Sequence, residues 1–214
     1  FRSVNIGLVN EYALMCDKLN LNIWEIIDAA SSKPFGFMPF YPGPGLGGHC
    51  IPIDPHYLSW KLKSVNYLAR FIELAGDINS HMPEYVVDRI GSLLNQKLSR
   101  AFTQANILIL GVAYKRDIKD VRESPALDVM KLLETKGAKV SYNDPFVAEI
   151  EWNGDKLKSR KLTESALKEA DLTVIITDHT SYDYQWIVDN AMVVFDTRNA
   201  TKSVKKGRDK IELL

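Results

Sequence analysis

The chain has 214 residues, of which 46% are hydrophobic and 25% are charged, proportions typical of a soluble globular protein with one large or two small domains. Its 27 Lys and Arg residues balance its 27 Asp and Glu residues, so we expect no nucleic-acid partner. No apolar run approaches the roughly 18 residues that span a membrane, so we expect no membrane partner either. Two cysteines, Cys16 and Cys50, cannot form a disulfide framework, which favours a reduced, cytoplasmic protein without a signal peptide.

The first residues already have the pattern of a helix interior. Residues 1–19 have apolar side chains at helical spacing, namely Val4, Leu8, Val9, Tyr12, Met15, Cys16 and Leu19. A second helix is predicted over residues 22–31, with Asn22 as a candidate N-cap. Because the chain does not begin with Met and opens within a helical pattern without a cap, we expect a fragment of a longer chain.

Residues 33–55 interrupt the helical pattern. Their sequence, KPFGFMPFYPGPGLGGHCIPIDP, contains six prolines and five glycines, which excludes a regular helix and most strand pairing. The segment is also rich in aromatic and apolar side chains, unlike a solvated linker. A long loop inside a globular chain is usually functional or disordered, and the apolar content here favours a packed, functional loop.

The period of the pattern changes near residue 105. Before it, helices are predicted at about 54–66, 67–79 and 83–99, so residues 1–100 form an all-helical domain around one loop. After it, strands are predicted at 106–111, 138–145, 171–177 and 191–197, separated by helices at 123–137, 162–170 and 181–189. This alternation predicts a small doubly wound domain with a parallel sheet over residues 103–214. The fold class is therefore α/β.

Cys50 is the first candidate for chemistry. A nucleophilic cysteine has to be accessible and readily deprotonated. The preceding Gly47 and Gly48 would let a substrate lie against the backbone, and Asp54 lies one helical turn further on. A buried cysteine in a tight turn is the alternative. Gly43, Gly45 and Gly48 formally match G-x-G-x-x-G, but no strand precedes them and prolines interrupt the context, so we reject a dinucleotide motif.

Three sequence blocks together resemble one family. GPGLGGHCIPIDP (43–55), ILGVAYKRDIKDVRESPALDV (109–129) and VVFDTRNA (193–200) resemble, in this order, the active-site loop, the start of the C-terminal domain and its last strand in the UDP-glucose/GDP-mannose dehydrogenase family. The stretch FYPGPGLGGHCIPIDP looks most like the bacterial branch that acts on UDP-N-acetylhexosamines, including UDP-N-acetylglucosamine. The resemblance covers essentially the whole chain.

The resemblance implies an architecture and a reaction. The helical part would be the central dimerisation domain of a homodimer, and the second part a Rossmann-like UDP-binding domain. The reaction would be an NAD-dependent, four-electron oxidation of the C6 hydroxyl of a UDP-sugar to a uronic acid, for surface polysaccharide biosynthesis. A UDP-N-acetylhexosamine is the favoured substrate and UDP-glucose the next. The N-terminal NAD-binding domain, with the family's catalytic lysine and asparagine, would lie before Phe1.

The resemblance also implies site residues, and no metal. Cys50 would be the nucleophile that carries a thioester, and Asp54 the acid–base or water-positioning group. The substrate-binding residues would be Lys33, Phe40, Tyr41, Gly43, Gly45, Gly47, Gly48, Lys115 and Arg198, with Lys33 reaching into the partner subunit's site. Cys50, Asp54 and Arg122 would border NAD. Taken alone, each of the cations would more simply be a solvated surface residue.

Other residues are given no part in the chemistry. Asn10 and Glu11 continue the first helix, and His49 is assigned to loop structure or a substrate contact. The remaining histidines, His56, His81 and His179, show no metal-ligand spacing. Trp24 and Trp60 are interpreted as core or interface residues, and Cys16 as a small core residue.

Two alternatives and one departure stay open. The chain could be a cysteine hydrolase or acyl-transferase, although no accompanying histidine signature is evident. It could also act, as an isolated piece, as a non-catalytic nucleotide-binding or dimerisation module. Finally, many family members that oxidise UDP-glucose have a lysine immediately before the loop aspartate, where this chain has Ile53.

Overall fold

The structure, a computed structural model, describes residues 1–214 and divides into a helical first half and a mixed second half. The helices of the first half are α1 (Arg2–Leu19), α2 (Ile23–Ser31), α3 (Asp54–Lys63) and α4 (Arg70–Leu98). No strand precedes Asn106. The side chain of Asn22 caps α2 by accepting hydrogen bonds from the N–H groups of Trp24 and Glu25, as its position predicted.

The helix α4 corrects one prediction. Residues 67–79 and 83–99 were expected to form two helices, yet one helix of 29 residues runs through Pro83. Proline has no N–H group and usually interrupts a helix. Here a continuous buried stripe holds both sides of Pro83 against the rest of the molecule: Met82, Val86, Val87, Ile90, Leu93 and Leu94. Tertiary packing therefore outweighs the local preference to break.

The second half alternates strands and helices. Its elements are β1 (Asn106–Leu110), α5 (Pro125–Thr135), β2 (Lys139–Asn143), β3 (Glu149–Trp152), β4 (Asp155–Lys158), α6 (Glu164–Glu169), β5 (Leu172–Ile175), α7 (Tyr184–Asn190), β6 (Val194–Asp196) and β7 (Ile211–Leu213). Five of the strands form one parallel sheet in the order β2-β1-β5-β6-β7. The prediction of an α/β fold with a parallel sheet is confirmed.

The strand order creates a crevice at one edge of the sheet. From β1 the chain first passes to β2 on one side and later to β5 on the other. The loops that leave the carboxyl ends of β1 and β5 therefore diverge, and open parallel sheets bind ligands at such a switch point. The segments that follow β1, β5 and β6 all begin at this end of the sheet.

Two small features were not expected from the sequence. The strands β3 and β4 form an antiparallel hairpin joined by Asn153 and Gly154, both with positive φ. Asn-Gly between two strands is a strong hairpin signal that was present in the sequence. The side chain of Trp152 donates to the carboxylate of Glu134 at 2.9 Å, which fixes the hairpin beside the end of α5. The strand β7 has three residues, one of them charged, whereas the equally short β6 lies within the longer apolar run AMVVF that predicted it.

One hydrophobic core joins the two halves. Met82 and Ile90 of α4 belong to the same buried cluster as Ile109 of β1, Val129 of α5 and Phe195 of β6. The loop that carries Cys50 is therefore supported on a continuous framework of helix and sheet. No helix combines the length and the apolar character needed to cross a membrane.

Candidate active site

The loop between α2 and α3, here called the glycine-rich loop (residues 33–53), is held from beneath by α1. Its segment from Pro42 to Gly45 is buried. The N–H group of Gly43 donates to the side-chain oxygen of Asn10 at 2.9 Å. On its other side, a Cβ atom added to Gly43 would lie 2.5 Å from the guanidinium of Arg198. A larger side chain at this position would therefore displace the guanidinium of Arg198.

The glycine pair before Cys50 lies on the loop that follows β1, here called the β1 loop (residues 111–124). The N–H group of Gly48 donates to the backbone carbonyl of Arg122 at 3.0 Å. Gly48 has a φ of 78°, and a Cβ atom there would lie 2.9 Å from the ring of Tyr114. A side chain at this position would suffer both backbone strain and a clash. The first two sequence blocks, distant along the chain, are thus in direct contact.

Cys50 lies just before α3 and is exposed. Its carbonyl accepts a hydrogen bond from the N–H group of Asp54 at 2.9 Å, which links the cysteine to the first turn of the helix. The pKa of Arg122 is raised, first by its hydrogen bonds to Asp120 and less by Tyr114 and Cys50. In return, the Arg122 guanidinium lowers the pKa of Asp120 to about 2. An accessible thiol and a permanent cation therefore share one surface.

A cleft of about 480 Å³ opens at the carboxyl ends of β5 and β6. It is lined by Trp24, Asp28, Tyr41, Pro42, Arg116, Asp178, His179, Thr180, Tyr184, Arg198, Asn199, Ala200 and Lys202. The rings of Trp24 and Tyr41 are stacked, with centroids 6.2 Å apart and an angle of 18° between their planes. The buried segment of the glycine-rich loop therefore begins in this cleft, and the chain continues from there to Cys50.

Three cations face the cleft. The side chain of Arg198 donates from Nε to the carbonyl of Ile176 at 3.0 Å. Burial lowers the pKa of Arg198, opposed by the carboxylate of Asp178, and arginine stays charged even so. Arg116 is paired with Asp178, and Lys202 lines the same space. A stacked aromatic wall beside several cations is suited to an aromatic base joined to anionic phosphates.

A buried pair, here called the Asp144–His179 clamp, fixes the start of the β1 loop. The Asp144 carboxylate accepts from the N–H groups of Val112 and Ala113, at 2.8 and 3.0 Å, and lies 3.0 Å from Nε2 of His179. The N–H group of Asp117 donates to Nδ1 of His179 at 2.9 Å. Since Nδ1 accepts this bond, the proton of a neutral ring is on Nε2 and is donated to Asp144. Both ends of the segment 112–117 are therefore fixed.

Two family models match the chain. Residues 1–81 match the central domain of the UDP-glucose/GDP-mannose dehydrogenase family, and residues 108–203 match the UDP binding domain of the same family. The chain belongs to this family. The family that the three sequence blocks predicted is therefore confirmed. Both matches fall on the parts of the chain that form the site described above.

Curated relatives agree with this assignment. A UDP-N-acetyl-D-mannosamine dehydrogenase of Methanococcus maripaludis is 34% identical over 224 residues, which cover 100% of this chain and 49% of the relative. A protein of the same description from Yersinia pestis is 37% identical over 202 residues, covering 88% of this chain and 47% of the relative. The chain thus spans about half the length of the curated relatives it matches.

Solved structures of the family have the same fold. The UDP-D-ManNAc dehydrogenase of Pyrococcus horikoshii superposes with a TM-score of 0.82 at 30% identity, covering 100% of this chain and 48% of that chain. The UDP-N-acetyl-mannosamine dehydrogenase Cap5O of Staphylococcus aureus gives 0.75 at 32% identity, covering 100% and 47%. The order of helices and strands in this chain is therefore that of the family.

The structure brings together most, but not all, of the residues that family membership suggested. Tyr41, Gly43 and Arg198 meet at the cleft, whereas Gly47 and Gly48 meet the β1 loop near Arg122. Gly45 has a close contact of its own, since a Cβ atom there would lie 3.0 Å from Pro125. Three residues stand apart from the cleft. Lys33 and Lys115 are exposed, and the ring of Phe40 packs against that of Phe1 at 5.7 Å.

Four residues that belong to this site were passed over in the sequence. Asn10 was given no role, although it lies three residues from Gly7 and Ala13, both on the buried side of α1. Trp24 was assigned to the core or an interface, and it is buried but also lines the cleft. His179 was considered only as a metal ligand, and Tyr114 was not considered. For His179 and Tyr114, sequence spacing held no signal, since their partners, Asp144 and the Gly47–Gly48 pair, lie in distant segments of the chain.

Proposed function

We propose that this chain forms the central and C-terminal parts of an NAD-dependent UDP-sugar 6-dehydrogenase. The observation that carries the proposal is the course of the glycine-rich loop. Its middle, at Tyr41 and Pro42, lines a cleft with aromatic and cationic walls, and its final part presents the exposed thiol of Cys50. A sugar nucleotide could thus be anchored in the cleft while its sugar reaches the nucleophile.

The substrate we propose is a UDP-N-acetylhexosamine, with UDP-N-acetyl-D-mannosamine the first to test and UDP-glucose the next. The relatives at 34% and 37% identity are described as UDP-N-acetyl-D-mannosamine dehydrogenases. Ile53 supports the same choice, because many members that act on UDP-glucose have a lysine there. The product would be the corresponding uronic acid, a building block of surface polysaccharides made in the cytoplasm.

In this proposal the cleft holds the nucleotide. The uracil lies beside the stacked rings of Trp24 and Tyr41, and the diphosphate lies beside Arg198 and Lys202. Lys115, which is exposed on the β1 loop outside the cleft, contacts the part of the substrate that extends beyond it. Arg198 is well suited to this task because its Nε is already committed to the carbonyl of Ile176. The remaining nitrogens are thereby oriented before the ligand arrives, which lowers the entropy cost of binding.

The residues near Cys50 fit a dinucleotide cofactor. Cys50, Asp54 and Arg122 are all exposed, so a flat nicotinamide ring can lie against the cysteine while Arg122 meets a phosphate. NAD, when bound, supplies the chemistry of hydride acceptance at each of the two oxidations. Arg122 suits an anionic cofactor because Asp120 holds it in place through two of its nitrogens.

Cys50 keeps the intermediate on the protein between the oxidations. After the first oxidation at C6, the thiolate sulfur attacks the aldehyde carbon, a C–S bond forms, and the carbonyl oxygen takes a proton. The second oxidation removes a hydride from C6 and the hydroxyl proton, and leaves a thioester. Water, positioned by Asp54, then adds to the thioester, the C–S bond breaks, and the thiol and a carboxylic acid are released. Covalent attachment keeps the aldehyde from escaping.

We also propose that the protein works as a homodimer in which Lys33 reaches the partner's site. The side chain of Lys33 is exposed at the beginning of the glycine-rich loop. Its neighbours Phe35 and Met38 are 82% and 65% exposed, an unusual state for large apolar side chains. If a second subunit covered these side chains, Lys33 would lie close to the active site of that second subunit.

A second function deserves a test, because the cleft residues all belong to this chain. These 214 residues alone could bind UDP without oxidising a sugar, which would make them a nucleotide-binding and dimerisation module. Calorimetry with UDP tests this on the Arg198→Lys variant, whose affinity we expect to fall about tenfold through the loss of oriented donors. Arg160→Lys is the matched control, since Arg160 pairs with Glu169 outside the cleft.

The activity is tested on the full-length protein. NAD reduction would be followed with UDP-ManNAc, UDP-GlcNAc, UDP-glucose and GDP-mannose in turn. We expect the fastest turnover with UDP-ManNAc and two NADH formed for each uronic acid. One NADH for each sugar, with a free aldehyde as product, would contradict the covalent mechanism, and no turnover with any UDP-sugar would overturn the proposed function.

A further inference from the structure

A chain of buried hydrogen bonds connects the helices α1 and α4 to the glycine-rich loop. The side-chain nitrogen of Asn79 donates to the carbonyl of Ser3 at 3.1 Å, and that of Asn10 donates to the oxygen of Asn79 at 2.8 Å. The oxygen of Asn10 then accepts from the N–H group of Gly43 at 2.9 Å. Asn10 is 0% exposed and Asn79 is 4% exposed, so water does not compete for these bonds.

The two ends of this chain fix its direction. The N–H group of Gly43 can only donate, and the carbonyl of Ser3 can only accept. If the amide of either Asn10 or Asn79 were turned over, two oxygens or two N–H groups would face each other. Both side chains are therefore held in one orientation, in which the oxygen of Asn10 faces the loop.

The segment that receives this bond has no other donor of its own. Gly43 lies between Pro42 and Pro44, which have no N–H group. All three residues are buried. The N–H group of Gly43 is therefore the single backbone donor by which the framework can hold this part of the loop, and Asn10 is its partner.

Gly43 in turn sets the space for Arg198. A Cβ atom on Gly43 would lie 2.5 Å from a terminal nitrogen of Arg198. The guanidinium is also held through its Nε, which donates to the carbonyl of Ile176. A small outward movement of Gly43 would therefore change where Arg198 meets the cleft, and also where the loop carries Tyr41.

We propose that Asn10 is a positioning residue of the substrate site, acting through Gly43 on Arg198, and that Asn79 anchors the side-chain nitrogen of Asn10 to α4. The role as a positioning residue for substrate rests on the proposed function. The holding of the loop by Asn10 does not, and it can be measured without substrate.

The chain provides a matched pair of variants for the full-length protein. Asn10→Leu removes the acceptor for Gly43, whereas Asn79→Leu leaves that acceptor in place and removes only the partner behind it. Each variant leaves buried polar groups unpaired, so both should lower the melting temperature. We expect Asn10→Leu to raise the KM for the UDP-sugar about tenfold, and Asn79→Leu to change it by less than about threefold. Asn10→Asp keeps an acceptor for Gly43, so its KM should stay within about threefold of the wild-type value. It should still lower the melting temperature, because an oxygen then faces that of Asn79.

Hydrogen–deuterium exchange supplies a measurement that does not depend on activity. Gly43 has the one amide between two prolines, so fragment-resolved mass spectrometry can follow it. We expect slow exchange in the wild-type protein and in Asn79→Leu, and fast exchange in Asn10→Leu or, if that variant does not fold, in Asn10→Ser.

The outcomes separate this inference from the proposed function. Equal changes in KM for Asn10→Leu and Asn79→Leu would show that the pair only joins two helices, and would overturn the inference. Fast exchange at Gly43 in the wild-type protein would overturn it as well. A wild-type protein with a protected Gly43 that oxidises no UDP-sugar would instead contradict the proposed function, and with it the role of Asn10 in substrate binding.

Discussion

At the scale of single residues, the two cysteines occupy opposite environments. Cys50 is exposed in the glycine-rich loop next to α3, whereas Cys16 is 7% exposed in the core, in one cluster with Ala13, Ile23 and Ile27. A thiol has to be accessible to act as a nucleophile, and a buried thiol behaves as a small apolar group. The two side chains therefore offer an internal comparison within one protein.

Replacing Cys50 with serine should change the fate of the intermediate rather than only the rate. An alkoxide is a much poorer leaving group than a thiolate, so an ester on serine should be hydrolysed slowly and should accumulate. Alanine at this position removes the covalent step and should leave at most a slow first oxidation. Intact-protein mass spectrometry after incubation with UDP-sugar and NAD measures the adduct, and the steady-state rate measures turnover.

Cys16→Ala is the control for these variants. It should lower the free energy of unfolding by about 1 kcal/mol, a usual value for a small buried truncation, and leave turnover unchanged. Near wild-type formation of uronic acid by Cys50→Ala would exclude the thioester and reduce the glycine-rich loop to a binding element.

At the scale of elements, the Asp144–His179 clamp ties the β1 loop to the ends of β2 and β5. The Asp144 carboxylate also accepts from the N–H groups of Phe146 and Val147. In Asp144→Asn an amide nitrogen would face one of these donors. We therefore expect a loss of about 3 kcal/mol in the free energy of unfolding, measured by urea denaturation. A loss below about 1 kcal/mol would show that the clamp is dispensable.

The same carboxylate makes stability depend on pH. Burial alone would raise the pKa of Asp144, but the hydrogen bonds from His179 and from backbone N–H groups outweigh it and place the pKa below its ordinary 3.8. A folded-state pKa below the unfolded one means that the stabilisation is present above about pH 4 and is lost as the pH falls through the folded-state value. We therefore expect the free energy of unfolding, measured by urea denaturation at a series of pH values from 7 to 3, to decrease less for Asp144→Asn than for the wild type.

The elements themselves could largely be predicted from the sequence. Local patterns were sufficient where one period dominates: the helix capped by Asn22, the buried strand β1, and the helix α5 that follows Ser124. They failed at α4, because the stripe that carries the helix through Pro83 is stabilised by packing against α1 and α5. The tendency of proline to break a helix reflects only the local free-energy cost of the missing hydrogen bond, and it does not include the packing that offsets this cost.

The site could be predicted in part. The glycine-rich loop and Arg198 were found through the family's motifs. The residues that support them were not, because their roles exist only in three dimensions. Asn10 meets Gly43 across 33 positions of the chain, and His179 meets Asp144 across 35. In a sequence, a buried polar residue can be detected only as a polar position within an otherwise apolar face. This pattern does not identify the residue with which it forms a hydrogen bond.

At the scale of the whole molecule, α1 leaves an apolar stripe uncovered. Leu8, Tyr12, Met15 and Leu19 are 43%, 42%, 51% and 64% exposed, and their spacing puts them on one face of the helix. A continuous apolar face of this kind usually marks an interface. We expect a homodimer that buries roughly 1,600 Å² or more.

Tyr12→Glu should shift this dimer towards monomer, because dimerisation would bury an unpaired charge. Sedimentation velocity at micromolar concentration measures the shift. Met192→Glu is the matched control, since Met192 is 48% exposed on the sheet half of the molecule. A wild-type protein that sediments as a monomer would contradict the expected dimer, and equal effects of the two variants would place the interface elsewhere.

The hairpin of β3 and β4 gives the molecule a natural point of attachment. Its tip has open space, since no atom lies within 4 Å of a Cβ atom added to Gly154. Through Trp152 it lies beside the last turn of α5, about 16 Å along that helix from the end near the β1 loop. A short tag or dye inserted between Asn153 and Gly154 should leave UDP affinity unchanged. The protein could then be tethered to a sensor surface with its cleft facing the solution, so that nucleotide binding is followed on single, uniformly oriented molecules.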